Sequence, residues 1–207
     1  MGSDRRPVLR YVARFSRTER TLHWLNASFF LFLLATGLAL YLPRFSTLVG
    51  RRPLLKDLHF WGGLAWIAAL GLVALLGDRR SLARTARELE TLSHDRFNPG
   101  QKINAILTAA FTLLFLVSGV LLWLGERDTR FRFASTVTLH DALLYAALVL
   151  LVGHLYLAVI HPATRHSLRG MTRGSVSEEW ARRHYPEWEV PPRAENDDLT
   201  TTGAGRT

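Results

Sequence analysis

Five of the eight histidines stand within strongly apolar stretches or at their edges: His23, His59, His140, His154 and His161. The segment from Thr138 to Pro162, "TLHDALLYAALVLLVGHLYLAVIHP", carries three of them. Histidine is rare on lipid-facing helices and usually marks function there. Cysteine is absent. That excludes disulfides, cysteine-ligated iron–sulfur clusters and covalently attached c-type haem within this chain. A redox cofactor here must have other ligands, and imidazole is the obvious one.

The histidines are carried by four apolar blocks, at about 22–42, 58–76, 103–124 and 139–160. Each is near the roughly 20 residues that a bilayer-spanning helix needs, and 207 residues cannot wrap four such helices in a soluble fold. The expectation is an all-α integral membrane protein, a four-transmembrane-helix bundle. Its parts are an N-terminal segment 1–21, a transmembrane domain 22–161, a polar tail segment 162–190 and a disordered end 191–207, which is polar and rich in small residues. The first block lacks a convincing small-residue cleavage site and is expected to remain as an anchor. Trp24, Trp61 and Trp123 fall near span ends, where interfacial tryptophans belong.

The net charge of +9 invites a nucleic-acid reading, but its distribution points to a membrane. Nineteen of the 26 Lys and Arg residues fall in the N-terminal segment, the loop between the second and third blocks, and the tail. The positive-inside bias then places both termini and the middle loop in the cytoplasm. The bias is moderate, because Arg51, Arg52 and Lys56 lie on the opposite side.

This orientation gives each histidine a depth. His59 and His140 start helices that enter from outside, whereas His23 and His154 lie towards the cytoplasm. Two pairs at matched depth result, His59 with His140 and His23 with His154. The 14 steps from His140 to His154 rise about 21 Å and fall only about 40° short of four whole turns. Both rings therefore point to one side of the bundle, where two flat macrocycles could stack across the bilayer. Haem iron with two strong nitrogen ligands suits electron transfer rather than oxygen chemistry. His161 matches His23 less well. It precedes Pro162, where helical geometry is disfavoured, and it would separate the two levels by about 31 Å. It is expected to be a boundary residue or a neighbour of a bound quinone or propionate. Gly37, Gly62, Gly63, Gly119 and Gly153 could make room for a ring or simply allow close helix packing. Arg20 and Lys56, each three residues before a ligand candidate, could meet haem propionates or be ordinary flanking charge. His94, His166 and His184 lie in polar segments and read as solvated.

Four motifs, "ERTLHW" (19–24), "LHFWGG" (58–63), "RFNPGQKINA" (96–105) and "GMTRGSVSEEWARRHYPEW" (170–188), resemble the cytochrome b, or gamma, subunit of membrane-bound bacterial formate dehydrogenase. The likeness covers most of residues 11–188. It implies two b-type haems with axial ligands at His23, His59, His140 and His154, paired as above. It also implies an iron–sulfur (beta) subunit that delivers electrons to the outer haem, and a molybdenum- or tungsten-containing catalytic (alpha) subunit. The electron acceptor would be menaquinone or ubiquinone, at a cytoplasmic-side site formed by Asn98, Gly100 and Gln101 beside His154. Uncharged amides suit quinone carbonyls, and glycine allows close backbone approach. Without the resemblance, "NPGQ" reads equally as a turn opening the third helix. Glu88, Glu90 and Asp95 could serve a proton path or be a solvated face. The chain departs from the family at "HPATRHSL", which is longer, and at Asp141, where a small apolar residue is expected.

The reading is therefore a dihaem cytochrome b of the bacterial cytoplasmic (inner) membrane, with lipid and quinone as partners and no nucleic acid. Competing readings are the cytochrome b of a nickel–iron hydrogenase or another quinone-linked dehydrogenase, a structural anchor, and a histidine-lined transition-metal transporter. Imidazole chemistry permits the last, but the spans lack supporting carboxylate or sulfur ligands.

Overall fold

A computed structural model describes residues 10–42, 45 and 51–190. The expected disordered end and the first nine residues lie outside that range. Four long helices dominate: α1 (Arg17–Tyr41), α2 (Arg52–Leu76), α4 (Pro99–Gly125) and α5 (Ala134–Leu155). A short helix, α3 (Arg79–Glu88), joins the second and third spans. Helix α5 widens into a π-helical turn, Tyr156–Ile160. Twenty-five residues of α-helix rise about 37 Å, more than the roughly 30 Å of a hydrocarbon core. Leu76 is 78% exposed and Val149 73%. Apolar side chains this bare on four long apolar helices require lipid as their cover. The chain is a multi-pass membrane protein.

Each span starts ahead of its apolar block, and polar side chains cap two of them, α1 and α4. Ser16 accepts from Glu19 N–H at 3.2 Å while Glu19 accepts from Ser16 N–H at 2.6 Å. This reciprocal pair satisfies two of the free donors at the start of α1. Asn98 and Gln101 do the same for α4, with Pro99 at its first position. The α1–α2 hairpin packs tightly at Gly62, where a Cβ would lie 2.5 Å from a Phe32 ring carbon.

Polar segments outside the spans fold into a cap at one end of the bundle. Strand β1 (Tyr11–Ala13) pairs antiparallel with β2 (Ser175–Ser177), Val12 facing Val176. Helices α6 (Leu168–Arg173) and α7 (Glu178–His184) flank β2. Gly174 ends α6 at φ +84°, a conformation glycine adopts without cost, and its carbonyl receives the N–H groups of Arg14 and Phe15. Val12, Val176, Ala181 and Val190 form a small core with Trp180 and Trp188 against it.

Buried charge ties this cap to the bundle. Arg14 donates to the Arg96 carbonyl at 2.9 Å, and Arg96 donates to the Arg14 carbonyl at 2.7 Å. Arg96 also pairs with Glu19 and Glu88, each at 2.7 Å. Lys102, fully buried, binds Asp95 at 2.7 Å. Burial would raise the Asp95 carboxyl, but hydrogen bonds from Lys102, Phe97 N–H and Ser93 hold it below the usual carboxylate range. Glu88 and Asp95 are thus ion-paired rather than a free solvated face, and Glu90 is exposed. His166 and His184 also depart from the solvated reading. Their rings lie 5.2 and 4.8 Å from that of Trp180, because the tail folds back on itself.

Removing Arg96 would strand the buried Glu19 carboxylate. Arg96→Ala should cost about 3 kcal/mol or more, read by unfolding in detergent, and should open residues 162–190 to protease. Arg96→Lys should recover only part of this, because an ammonium cannot reproduce the planar fork.

Candidate functional site

At the end of the bundle away from the cap, His59 near the start of α2 faces His140 near the start of α5. Their ring centres are 6.3 Å apart. Each ring meets a buried hydroxyl from a neighbouring span. Thr36 Oγ1 lies 2.8 Å from His59 Nδ1, and Ser118 Oγ lies 2.8 Å from His140 Nδ1. Each hydroxyl is followed by glycine. A Cβ at Gly37 would sit 3.2 Å from His59 Cε1, and one at Gly119 would sit 3.8 Å from His140 Cε1. Gly37 lets the His59 ring edge approach, Gly119 would admit a Cβ in ordinary contact, and the hydroxyls meet the nitrogens. Phe115 stands edge-on to His140 at 5.2 Å.

At the cap end, His23 on α1 faces His154 on α5, with ring centres 6.0 Å apart. His23 is held from both sides in sequence. Arg20 donates to the carbonyls of Met171 and Thr172, at 3.1 and 2.5 Å, and Trp24 donates to Met171 at 3.2 Å. The tail therefore anchors the turn that carries His23. Among the described residues neither His23 nor His154 has a side-chain hydrogen bond. His161 lies beyond the π-helical turn, where its N–H bonds back to Tyr156 O at 2.9 Å and its ring contacts Tyr156 and Thr164. The structure pairs His154, not His161, with His23.

Two metal–nitrogen bonds of about 2 Å in line, plus the radii of two imidazoles, span about 6 Å between ring centres. Both observed separations fit one iron between two imidazoles, and neither ring pair is in van der Waals stacking contact. Gly63, one turn after His59, has no atom within 4 Å of an added Cβ. The indole N–H of Trp66, two turns after His59, is buried without a protein acceptor. The imidazole separations and the room at Gly63 fit haem. Arg20 and Lys56, expected near propionates, both have protein partners: Arg20 the tail carbonyls above, and Lys56 an ion pair with Glu126. Asp141 is partly buried beside His140.

Asn98, Gly100 and Gln101 open α4 beside the cap. Gln101 Oε1 accepts from Asn98 N–H and Arg14 Nη2, both at 3.2 Å, and from Tyr185 OH at 3.3 Å. Asn98 Oδ1 accepts from Gln101 N–H at 2.8 Å. Backbone N–H groups can only donate, so each amide must turn its oxygen inward. Both NH2 groups are left without a protein acceptor among the described residues. The turn-forming reading of "NPGQ" is thus realised as a capping box, and the same geometry presents four amide N–H donors. No hydrogen bond joins these residues to His154.

Thr36 and Ser118 were not anticipated from sequence. Their signal was present, since the dipeptides Thr36-Gly37 and Ser118-Gly119 precede His59 and His140 by nearly equal intervals, 23 and 22 residues from hydroxyl to histidine. A lone hydroxyl in an apolar span reads as a helix back-bonding to its own carbonyls, which hid it.

The model of the prokaryotic cytochrome b561 family matches residues 14–174. Among similar proteins is the formate dehydrogenase cytochrome b556(fdo) subunit of Escherichia coli K12. It is 28% identical over 197 residues, spanning 86% of this chain and 91% of that protein. The nitrate-inducible cytochrome b556(Fdn) subunit of the same organism is 24% identical, spanning 86% and 89%. The formate dehydrogenase cytochrome b556 subunit of Haemophilus influenzae is 24% identical, spanning 91% and 87%.

Replacing His154 by Ala should remove one haem per chain, while His161→Ala should leave haem content unchanged. Haem quantification of the two purified variants checks the pairing, and the reverse result would assign the ligand to His161.

Proposed function

The chain belongs to the prokaryotic cytochrome b561 family, and on that basis we propose that it is the cytochrome b subunit of a formate dehydrogenase complex. In this reading it spans the bacterial inner membrane with both termini in the cytoplasm. It carries electrons from an iron–sulfur subunit to menaquinone or ubiquinone, while a separate molybdenum- or tungsten-containing subunit oxidises formate. Relatives of similar length that carry the formate dehydrogenase name support the partner assignment. The observation that carries the proposal is the presence of two imidazole pairs, 6.3 and 6.0 Å apart, that share helix α5.

Two b-type haems, when bound, would supply one-electron redox chemistry closed to added ligands. His59 with His140, and His23 with His154, would hold them by opposing imidazoles. The bundle sets the His59–His140 pair among apolar helices, whereas the cap-end pair includes the exposed His154. At the cap end, quinone reduction requires donors to the carbonyl oxygens and access for two protons. The amides of Asn98 and Gln101 offer the donors, because their oxygens are committed to the capping box. Arg14 and Tyr185 hold Gln101 in that orientation. The exposed edge of the cap gives protons a route from water, and His154, itself exposed, lies at this end of the bundle.

A reduced-minus-oxidised optical spectrum of the purified chain in detergent should show two low-spin b-type haems per polypeptide. Well-folded protein that lacks haem after expression with ample supply would overturn the proposal. For the quinone site, Asn98→Asp and Gln101→Glu keep the capping oxygens and delete the NH2 donors. Each should lower quinone reduction by the assembled complex about tenfold, the cost of roughly 1.4 kcal/mol from one lost hydrogen bond. Haem content should stay the same, and unchanged turnover would place the quinone elsewhere.

A further inference from the structure

Each of the two hydroxyls at the far pair has helix carbonyls within donating reach. Thr36 Oγ1 lies 3.1 Å from Phe32 O and 3.2 Å from Leu33 O. Ser118 Oγ lies 2.7 Å from Leu114 O and 3.3 Å from Phe115 O. Carbonyl oxygens can only accept, and a hydroxyl has one hydrogen. If that hydrogen is given to the helix carbonyl, the oxygen can meet an imidazole nitrogen only by accepting. His59 Nδ1 and His140 Nδ1, each 2.8 Å away, must then carry the hydrogen. Both side chains are buried, Ser118 to 1% and Thr36 to 8%, so water does not compete for these bonds.

We propose that Thr36 and Ser118 are positioning residues that hold His59 and His140 as the Nδ1–H tautomer, leaving each Nε2 lone pair free for iron and raising its basicity. The assignment rests on the haem reading above. Without the hydroxyls either ring could rotate or take the other tautomer, in which Nε2 bears hydrogen and cannot ligate. With them, each ring is held in direction by its contact at Nδ1. The relay Nδ1–H to Oγ–H to O=C also polarises the imidazole, since each bond in such a chain strengthens the next. A more basic imidazole stabilises ferric over ferrous iron and lowers the reduction potential. His23 and His154 have no such protein partner among the described residues, so the device acts on one level only. It makes the far level more reducing than it would be without the hydroxyls, a change in the sense of electron flow towards the cap.

The test is a redox titration of each haem in the purified chain carrying Thr36→Val or Ser118→Ala, with haem quantified per polypeptide. Each variant should raise the potential of the far haem. The expected change is about threefold to tenfold in its oxidised-to-reduced ratio, where tenfold corresponds to about 59 mV for one electron. The other haem should not move. The low-spin electron paramagnetic resonance signal of the far haem should shift in parallel. Thr36→Ser and Ser118→Thr, which keep the hydroxyl, should match the parent. Loss of the far haem in the first two variants with retention in the second two would equally support the assignment. Retained haem with both potentials unchanged would overturn it, as would loss that the hydroxyl-keeping variants fail to restore. His59→Ala and His140→Ala separate the two claims. If neither removes a haem, the haem reading itself fails, whatever the hydroxyl variants do.

Discussion

Two imidazoles fourteen residues apart on α5 set the vertical scale of the molecule. The helix rises about 21 Å between them, so they occupy two levels within one membrane thickness. The first two spans bring a second imidazole to each level. Helix α2 must enter from the far end to present His59, and α1 must leave from the cap end to present His23. An up-and-down hairpin order meets both demands with short connections. The hydrocarbon setting adds a second demand, because a polar ring there needs a partner that water cannot supply. At the far level the partners are Thr36 and Ser118.

The two levels are built differently. The far level is made from spans alone, and its rings meet the hydroxyls of Thr36 and Ser118 where two helices converge. The cap-end level depends on chain outside the membrane. Arg20 and Trp24, on either side of His23, are tied to carbonyls at the end of α6, so the tail helps set the register of α1. The tail is held in turn by the strand pair and by the reciprocal Arg14–Arg96 bonds. Arg14 then extends to Gln101, where it turns the amide oxygen inward. A continuous set of contacts thus runs from the cap core to the opening turn of α4. Three sequence segments far apart in the chain meet there, which is possible because all three emerge at the same end of the bundle.

The burial of Arg14, Arg96 and Lys102 shows how a basic chain can be stable at this end. Arg96 and Lys102 are matched by carboxylates, and Arg14 lies over the rings of Tyr185 and Phe15 at 4.2 and 4.9 Å. Burial lowers the affinity of the Arg14 guanidinium for its proton, and the Tyr185 interaction opposes this. Aromatic faces partly replace the solvation that its Nε and Nη1 lack. Charge that reads along the sequence as a topogenic signal is, in the fold, also structural.

The span count, the absence of cysteine and the four ligand candidates were legible in the sequence because each depends on local composition or on helical periodicity. Fourteen residues at 3.6 per turn place His140 and His154 on one side of a helix whatever surrounds it. The roles of Asn98 and Gln101 in capping were also within reach, since S/T/D/N-x-x-E/Q is a local pattern. Which residue touches which ring was not legible, because contacts between spans depend on helix rotation and crossing, and apolar faces in a bilayer set neither strongly. Thr36 and Ser118 are ordinary span residues until α1 meets α2 and α4 meets α5. The cap was hidden for a related reason. Residues 10–15, 85–102 and 162–190 each lack an apolar face large enough to fold alone, and only their meeting at one end of the bundle buries Val12, Val176 and Ala181 together.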